Sequence, residues 1–182
     1  MISDDERLAC NSCGEGGDKG FSTFYLKQKV FSIGEKFNFF DADQNVLYRS
    51  TGSFFSIPKE FTLFKGEAAV TRIVRKVFSW LPQYEVIDIA SGNTLAVMKQ
   101  RFSFRQNFDI TTGDGPLQVE GTVFGYSFSI RNPSGQTLVR TEKELLSWGD
   151  AYRIETDART ITTELALSLI IAYDNAVHDG KD

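Results

Sequence analysis

The sequence predicts a mainly β fold: a closed twelve-stranded antiparallel β-barrel around a buried hydrophobic C-terminal α-helix. Three observations carry that expectation. A two-strand pattern recurs about every 23 residues from Phe31 onward, the links within and between repeats are short, and one apolar run near the C-terminus has no polar face.

The repeat comes first, because it fixes the strand number. Phe31-Ser32-Ile33 is followed six and eight residues after its anchor by Phe37 and Phe39. The same offsets join Phe55-Ser56-Ile57 to Phe61 and Leu63, Phe78-Ser79-Trp80 to Tyr84 and Val86, and Phe102-Ser103-Phe104 to Phe108 and Ile110. Leu146-Ser147-Trp148 with Tyr152 and Ile154 is the last full match. The anchors at 31, 55, 78 and 102 are spaced by 24, 23 and 24 residues, and the gap of 44 to Leu146 leaves room for one more unit. Gly121 to Ile130 supplies it, with Phe124 as anchor and Phe128 and Ile130 as the second strand. In each unit the anchor is expected to end a first strand, and the pair two residues apart to begin a second with the period of a pleat. Turn formers such as Asp41-Ala42-Asp43-Gln44-Asn45, Ser91-Gly92-Asn93 and Asn132-Pro133-Ser134-Gly135 separate the units.

Six units of two strands make twelve, and connections this short permit only antiparallel neighbours. An open meander of that size would expose two long edges, so closure is expected. A barrel wider than about eight strands is not filled by its own side chains. The stretch from Leu165 to Tyr173 can fill it: eight of its nine side chains are apolar, so a helix here must be buried all round. The helix is expected over about 160–178, capped by Asp157 or Thr160, with Glu164 in its first turns and Gly180 as its stop. A β-sandwich with the helix packed outside would require a polar stripe, which this run lacks. The run is also too short and too polar-flanked for a membrane span.

Residues 1–20 read as a disordered Gly- and Asp-rich leader and 21–182 as a single domain. The chain has 182 residues, 41% of them apolar, with sixteen Phe and only four Pro, which suits one β-rich core. A net charge of -4 argues against a whole surface built for nucleic acid or anionic membrane and leaves room only for a local basic patch. Asp4, Asp5, Glu6 and Arg7 stand where a signal peptide would need an apolar run, so a cytoplasmic location is expected. Cys10 and Cys13 form a Cys-x-x-Cys pair without a flanking strand pattern, and the single histidine, His178, lies at the far end of the chain. They read as plain thiols on the leader, and no metal or other cofactor is expected.

Several stretches carry a resemblance to a known family. They are Tyr25-Leu26-Lys27-Gln28-Lys29-Val30-Phe31-Ser32, Arg75-Lys76-Val77-Phe78-Ser79-Trp80 with Tyr84-Glu85-Val86, Lys99-Gln100-Arg101-Phe102-Ser103-Phe104, Leu146-Ser147-Trp148 with Tyr152, and the apolar run ending Tyr173-Asp174. In these the chain resembles the LURP-one-related proteins, which share the tubby C-terminal fold with phospholipid scramblases. The resemblance covers roughly residues 21 to 178 and implies the barrel with its central helix. For function it implies little: tubby-like domains are associated with phosphoinositide headgroups, scramblases with calcium-dependent lipid movement, and LURP-one-related proteins with no assigned activity. Scrambling does not suit this chain, because Asp41 and Asp43 lack the glycine and closing glutamate of a calcium loop.

Catalysis finds no support in the residues. Gly125-Tyr126-Ser127-Phe128-Ser129 lacks the last glycine of a nucleophile elbow, and the glycines from Gly14 to Gly20 precede a strand rather than a helix. The protein is therefore expected not to be an enzyme. The richest functional signal is basic: Lys27, Lys29, Arg75, Lys76, Lys99 and Arg101 sit where first strands run into anchors, with Arg72, Arg140 and Lys143 behind them. Equivalent strands of a meander present outward residues at similar height, so these could join a band for anionic headgroups or phosphate. Solvated lysines and arginines on strands would have the same pattern. Trp80, Phe104 and Trp148 follow the anchor serines and would share one rim, either as packing or as an interfacial belt. The expected partner is an anionic phospholipid or membrane surface contacted peripherally, with a protein-interaction scaffold as the alternative and a small-substrate enzyme last.

Overall fold

The computed structural model describes residues 20–27, 36–53, 57–103, 106–121, 127–146 and 149–178. The repeat builds the wall. Its strand pairs are β1 (Phe21–Lys27) with β2 (Lys36–Phe40), β3 (Val46–Ser53) with β4 (Glu60–Lys65), and β5 (Ala68–Arg75) with β6 (Gln83–Asp88). They continue as β7 (Thr94–Gln100) with β8 (Asn107–Thr112), β9 (Gly115–Gly121) with β10 (Phe128–Arg131), and β11 (Thr137–Leu146) with β12 (Gly149–Asp157). Every strand is antiparallel to its chain neighbours, and β1 closes the barrel on β12 from Phe21 opposite Asp157 to Lys27 opposite Ala151. Closure leaves no edge to protect.

The second strands largely behave as their spacing requires, with Phe37 and Tyr152 only half-buried. Phe39, Phe61 and Leu63, Tyr84 and Val86, Phe108 and Ile110, Phe128 and Ile130, and Ile154 are all buried inside the barrel. The anchors behave differently from expectation at two of the repeats. β5 stops at Arg75 and β7 at Gln100, so Phe78 and Phe102 stand beyond the strand ends, in solvent. Leu146 is the last residue of β11, as expected, whereas Phe31, Phe55 and Phe124 lie outside the described residues. Phe78-Ser79-Trp80 and the Phe102-Ser103 pair are as apolar as a strand end but belong to the connections that follow β5 and β7.

The helix α1 (Thr163–His178) runs down the barrel. Residues 166–173 are buried without exception, more than two turns, so all faces meet the wall. Three of its polar residues, Glu164, Ser168 and Asn175, meet polar groups on adjacent strands. Tyr48 of β3 donates to Glu164 Oε1 at 2.9 Å, and the Ser168 hydroxyl lies 2.6 Å from Thr71 of β5 while donating to the Glu164 carbonyl at 2.7 Å. Tyr84 of β6 donates to Asn175 Oδ1 at 3.4 Å. Elsewhere the space is filled by rings, with Tyr173 against Phe108 and Phe128 at centroid distances of 5.5 and 4.0 Å.

The helix cap differs from expectation. Thr162 accepts the Leu165 amide at 3.3 Å, while the Asp157 carboxylate is occupied by Arg159 and Thr160. Asp157 ends β12 and its carbonyl accepts the amides of Thr160 and Ile161, so a turn intervenes and the helix begins later. The leader, with Cys10 and Cys13, lies outside the described residues up to residue 19, as does Gly180.

Candidate basic and aromatic rim

In a meander, the connections that follow odd-numbered strands all emerge at one end. Here that end carries Ile57 to Lys59, Lys76 to Pro82 and Arg101 to Ser103, and it is called the Trp80 end. The opposite end, where α1 begins, is called the Glu164 end. At the Trp80 end neighbouring hairpins are laced by backbone hydrogen bonds. The Arg75 amide donates to the Lys59 carbonyl and the Gln100 amide to the Pro82 carbonyl, each at 2.9 Å. Three adjacent connections are thereby held as one surface.

Their basic side chains converge from different strands. Lys76 donates its backbone amide to Gln83, and Gln83 stands opposite Lys99 in the register of β6 and β7. Lys76 and Lys99 therefore flank one residue of β6 from either side. Both line a hollow of about 500 Å³ with Val77, Phe78, Trp80 and Leu81. A second hollow of about 280 Å³ shares Lys76 and Val77 with it and adds Arg75, Lys59 and Ile57. Lys76 is paired to Glu85 at 2.7 Å, and Arg101 lies 3.8 Å from Asp109. Lys99 is exposed and makes no ion pair among the described residues.

Of the six basic residues marked by the sequence, the structure brings Arg75, Lys76 and Lys99 together. Arg101 stands two residues past Lys99, turned toward β8. Lys27 is on β1, four strands round the barrel from β5, with its ammonium 5.5 Å from the Phe40 ring centre. Lys29 lies outside the described residues. Lys59, from the connection between β3 and β4, joins the group, and the signal that marks it is its position at the same end of its repeat as Lys76. Trp80 is fully exposed, and Phe104 and Trp148 lie outside the described residues.

The Glu164 end holds the other concentration of ionisable groups. Burial pushes the Tyr48 phenol up, helped by the neighbouring Glu164 carboxylate, and hydrogen bonding to Tyr48 and Glu164 raises Lys65, whose ammonium is 3.3 Å from Glu164. Burial is the largest influence on Glu164 and opposes its charge. Hydrogen bonds from its own amide, Tyr48 and Lys65 outweigh it and hold the carboxyl below its ordinary range. A carboxylate in the first turn of a helix is also favoured by the dipole. These three groups anchor α1 to the wall, and a hollow of about 720 Å³ at the same end is lined by Leu95, Leu117, Leu138, Arg159 and Leu165. Among the described residues no cluster of three or more His, Cys, Asp and Glu side chains is placed to hold a metal ion, and no helix is long and apolar enough to cross a membrane. The side chain of His178 lies outside the described residues.

Comparison with known proteins agrees with the architecture. The uncharacterized protein YxjI of Bacillus subtilis (strain 168) is 24% identical over 160 residues, which cover 87% of this chain and 95% of YxjI. A protein of Arabidopsis thaliana with an X-ray structure superposes with a TM-score of 0.61 at 14% identity, over 85% of this chain and 90% of that one, a likeness of fold. The family model described as LURP-one-related matches residues 22–174, from the second residue of β1 into the last turns of α1. With all of the wall but its first residue and most of the central helix inside that match, the chain belongs to the LURP-one-related family.

Proposed function

We propose that this barrel is a non-enzymatic module that binds anionic phospholipid headgroups at the surface of a membrane. The observation that supports the reading is the convergence of Lys59, Arg75, Lys76 and Lys99 from three adjacent hairpins, around hollows open to solvent. Phosphate oxygens accept hydrogen bonds from several cations at once, and a fixed group of them gains more than the same charges dispersed. Lys99, with no ion pair among the described residues, needs no partner displaced before it engages a phosphate. The perturbed groups at the Glu164 end hold the helix in place, which is a structural use of their charge.

The test is co-sedimentation with phosphatidylcholine vesicles, alone and mixed with phosphatidylserine or a phosphoinositide, at low and physiological salt. Sedimentation with the anionic vesicles alone, weakened by salt and by Lys76→Glu/Lys99→Glu, is the expected outcome. Equal sedimentation with neutral and anionic vesicles, or none with either, would overturn the reading.

A further inference from the structure

Resting on that reading, we infer that the barrel meets the bilayer end-on, with Phe78, Trp80 and Phe102 of the Trp80 end inserted into the apolar boundary beneath the headgroups. These side chains are 101%, 104% and 96% exposed, and Ile57 beside them is 87% exposed. Among the described residues nothing covers them. Large apolar side chains exposed singly are ordinary, but a group of them on adjacent connections marks a contact surface. The large apolar residues exposed near the other end, Val46, Leu47 and Ile89, reach only 38% to 52%.

Charge decides what kind of surface they contact. Among the described residues of the connections at the Trp80 end, the charged ones are Lys59, Lys76 and Arg101, all basic. Each stands within two residues of an exposed apolar side chain: Lys59 after Ile57, Lys76 before Phe78, Arg101 before Phe102. The connections at the Glu164 end carry Asp41, Asp43, Glu67 and Asp114 against Arg159. One end is thus basic and apolar and the other acidic, which orients the barrel in the field of an anionic leaflet before contact. Aromatic tips between basic side chains match the layering of a bilayer, with headgroup charge outside and hydrocarbon within. A protein partner with an apolar acidic groove would fit less closely, since each aromatic stands almost wholly in water rather than packed with the others into a shared patch. The hydrogen bonds of the Arg75 and Gln100 amides to the Lys59 and Pro82 carbonyls tie the connections that carry these side chains to one another.

The chain has two tryptophans, Trp80 and Trp148, so Trp148→Phe leaves Trp80 as the sole reporter. With mixed phosphatidylcholine–phosphatidylserine vesicles its emission should shift to the blue and be quenched by lipids brominated at shallow acyl positions. Trp80→Phe in the parent chain, a substitution at a fully exposed site, should remove most of that response. Phe78→Ala/Phe102→Ala should weaken vesicle binding at least about tenfold with unchanged thermal melting, given the apolar area withdrawn from the boundary. Binding without a shift or quenching at Trp80 would overturn insertion and leave the headgroup reading intact. Loss of binding in Phe78→Ala/Phe102→Ala but not in Lys76→Glu/Lys99→Glu would uphold insertion and overturn the headgroup reading. No binding to any vesicle, with an apolar acidic protein captured by this rim, would overturn both.

Discussion

Tyr173 is a residue where helix and wall approach closely. Its ring lies against Phe108 and Phe128, but its buried hydroxyl has no hydrogen-bond partner among the described residues, and burial, with the nearby Asp174 charge, pushes its pKa far up. The wall opposite is Gly121, the last residue of β9, paired with Phe128. A Cβ there would overlap the Tyr173 hydroxyl and come 2.9 Å from the Gln106 carbonyl oxygen. Glycine is thus required for close approach. Gly121→Ala should lower stability by about 2 kcal/mol or more, since overpacking commonly costs 1–3. Tyr173→Phe removes an unsatisfied buried hydroxyl and should be neutral or stabilising by about 1 kcal/mol. It should also soften the cost of Gly121→Ala, and urea denaturation of the four proteins in a double-mutant cycle reads the coupling. An additive result would show that the two sites do not meet.

The helix needs more than apolar burial to sit in one register. A smooth apolar rod in an apolar sleeve can slide or rotate at little cost, whereas paired hydroxyls and carboxylates lose hydrogen bonds at once. Ser168 supplies such a pair in the middle of α1: it donates to the Glu164 carbonyl, so Thr71 donates to it. Thr71→Val should cost about 1–2 kcal/mol by leaving Ser168 short of a partner inside the core. Thr71→Val/Ser168→Ala should cost less than the sum of the single changes, because both partners are then gone. Thermal unfolding followed by circular dichroism would measure this, and strict additivity would mean the pair does not act as a unit.

For the molecule as a whole, the two ends carry different burdens. The Glu164 end holds the fold together, with Asp157 tied to Arg159 at 2.9 Å and to Gln136 of the β10–β11 connection at 3.2 Å. The hydrogen bond from Arg159 is the first cause of a lowered pKa at Asp157, and hydrogen bonding lowers Glu164 as well. Both carboxyls ionise more readily folded than unfolded, so in acid the unfolded chain binds more protons. Their contribution is complete above the ordinary carboxylate pKa near 4 and is lost as pH falls through the folded values. Urea midpoints should therefore drop on acidification below about pH 4, and less steeply in Asp157→Asn/Glu164→Gln. An unchanged slope in that variant would assign acid sensitivity to other groups. The Trp80 end, by contrast, leaves aromatic side chains in water, and stability alone gives no reason for it.

Period and composition suffice to read the wall and its filling from the chain. The pairs such as Phe61 with Leu63 and Phe108 with Ile110 alternate with the pleat, and a pleat has only two faces, so their burial follows from spacing. The run from Leu165 to Tyr173 has no polar side, so it can only go inside. The rim was legible in part. The sequence marks Arg75, Lys76 and Lys99, but Lys27 belongs to the same series and ends up four strands away, because position around a barrel depends on strand order and closure. The exposure of Phe78 and Phe102 was not legible, since an apolar residue beside a strand is expected to extend it and only the neighbours available at a strand end decide whether it packs. Thr162 as the helix cap was hidden likewise, because Asp157, the better cap by type, is drawn into the turn by Arg159. Local periodicity fixes which side chains are buried, and it acts over a few residues. Which surface residues meet is set by contacts between strands far apart in the chain.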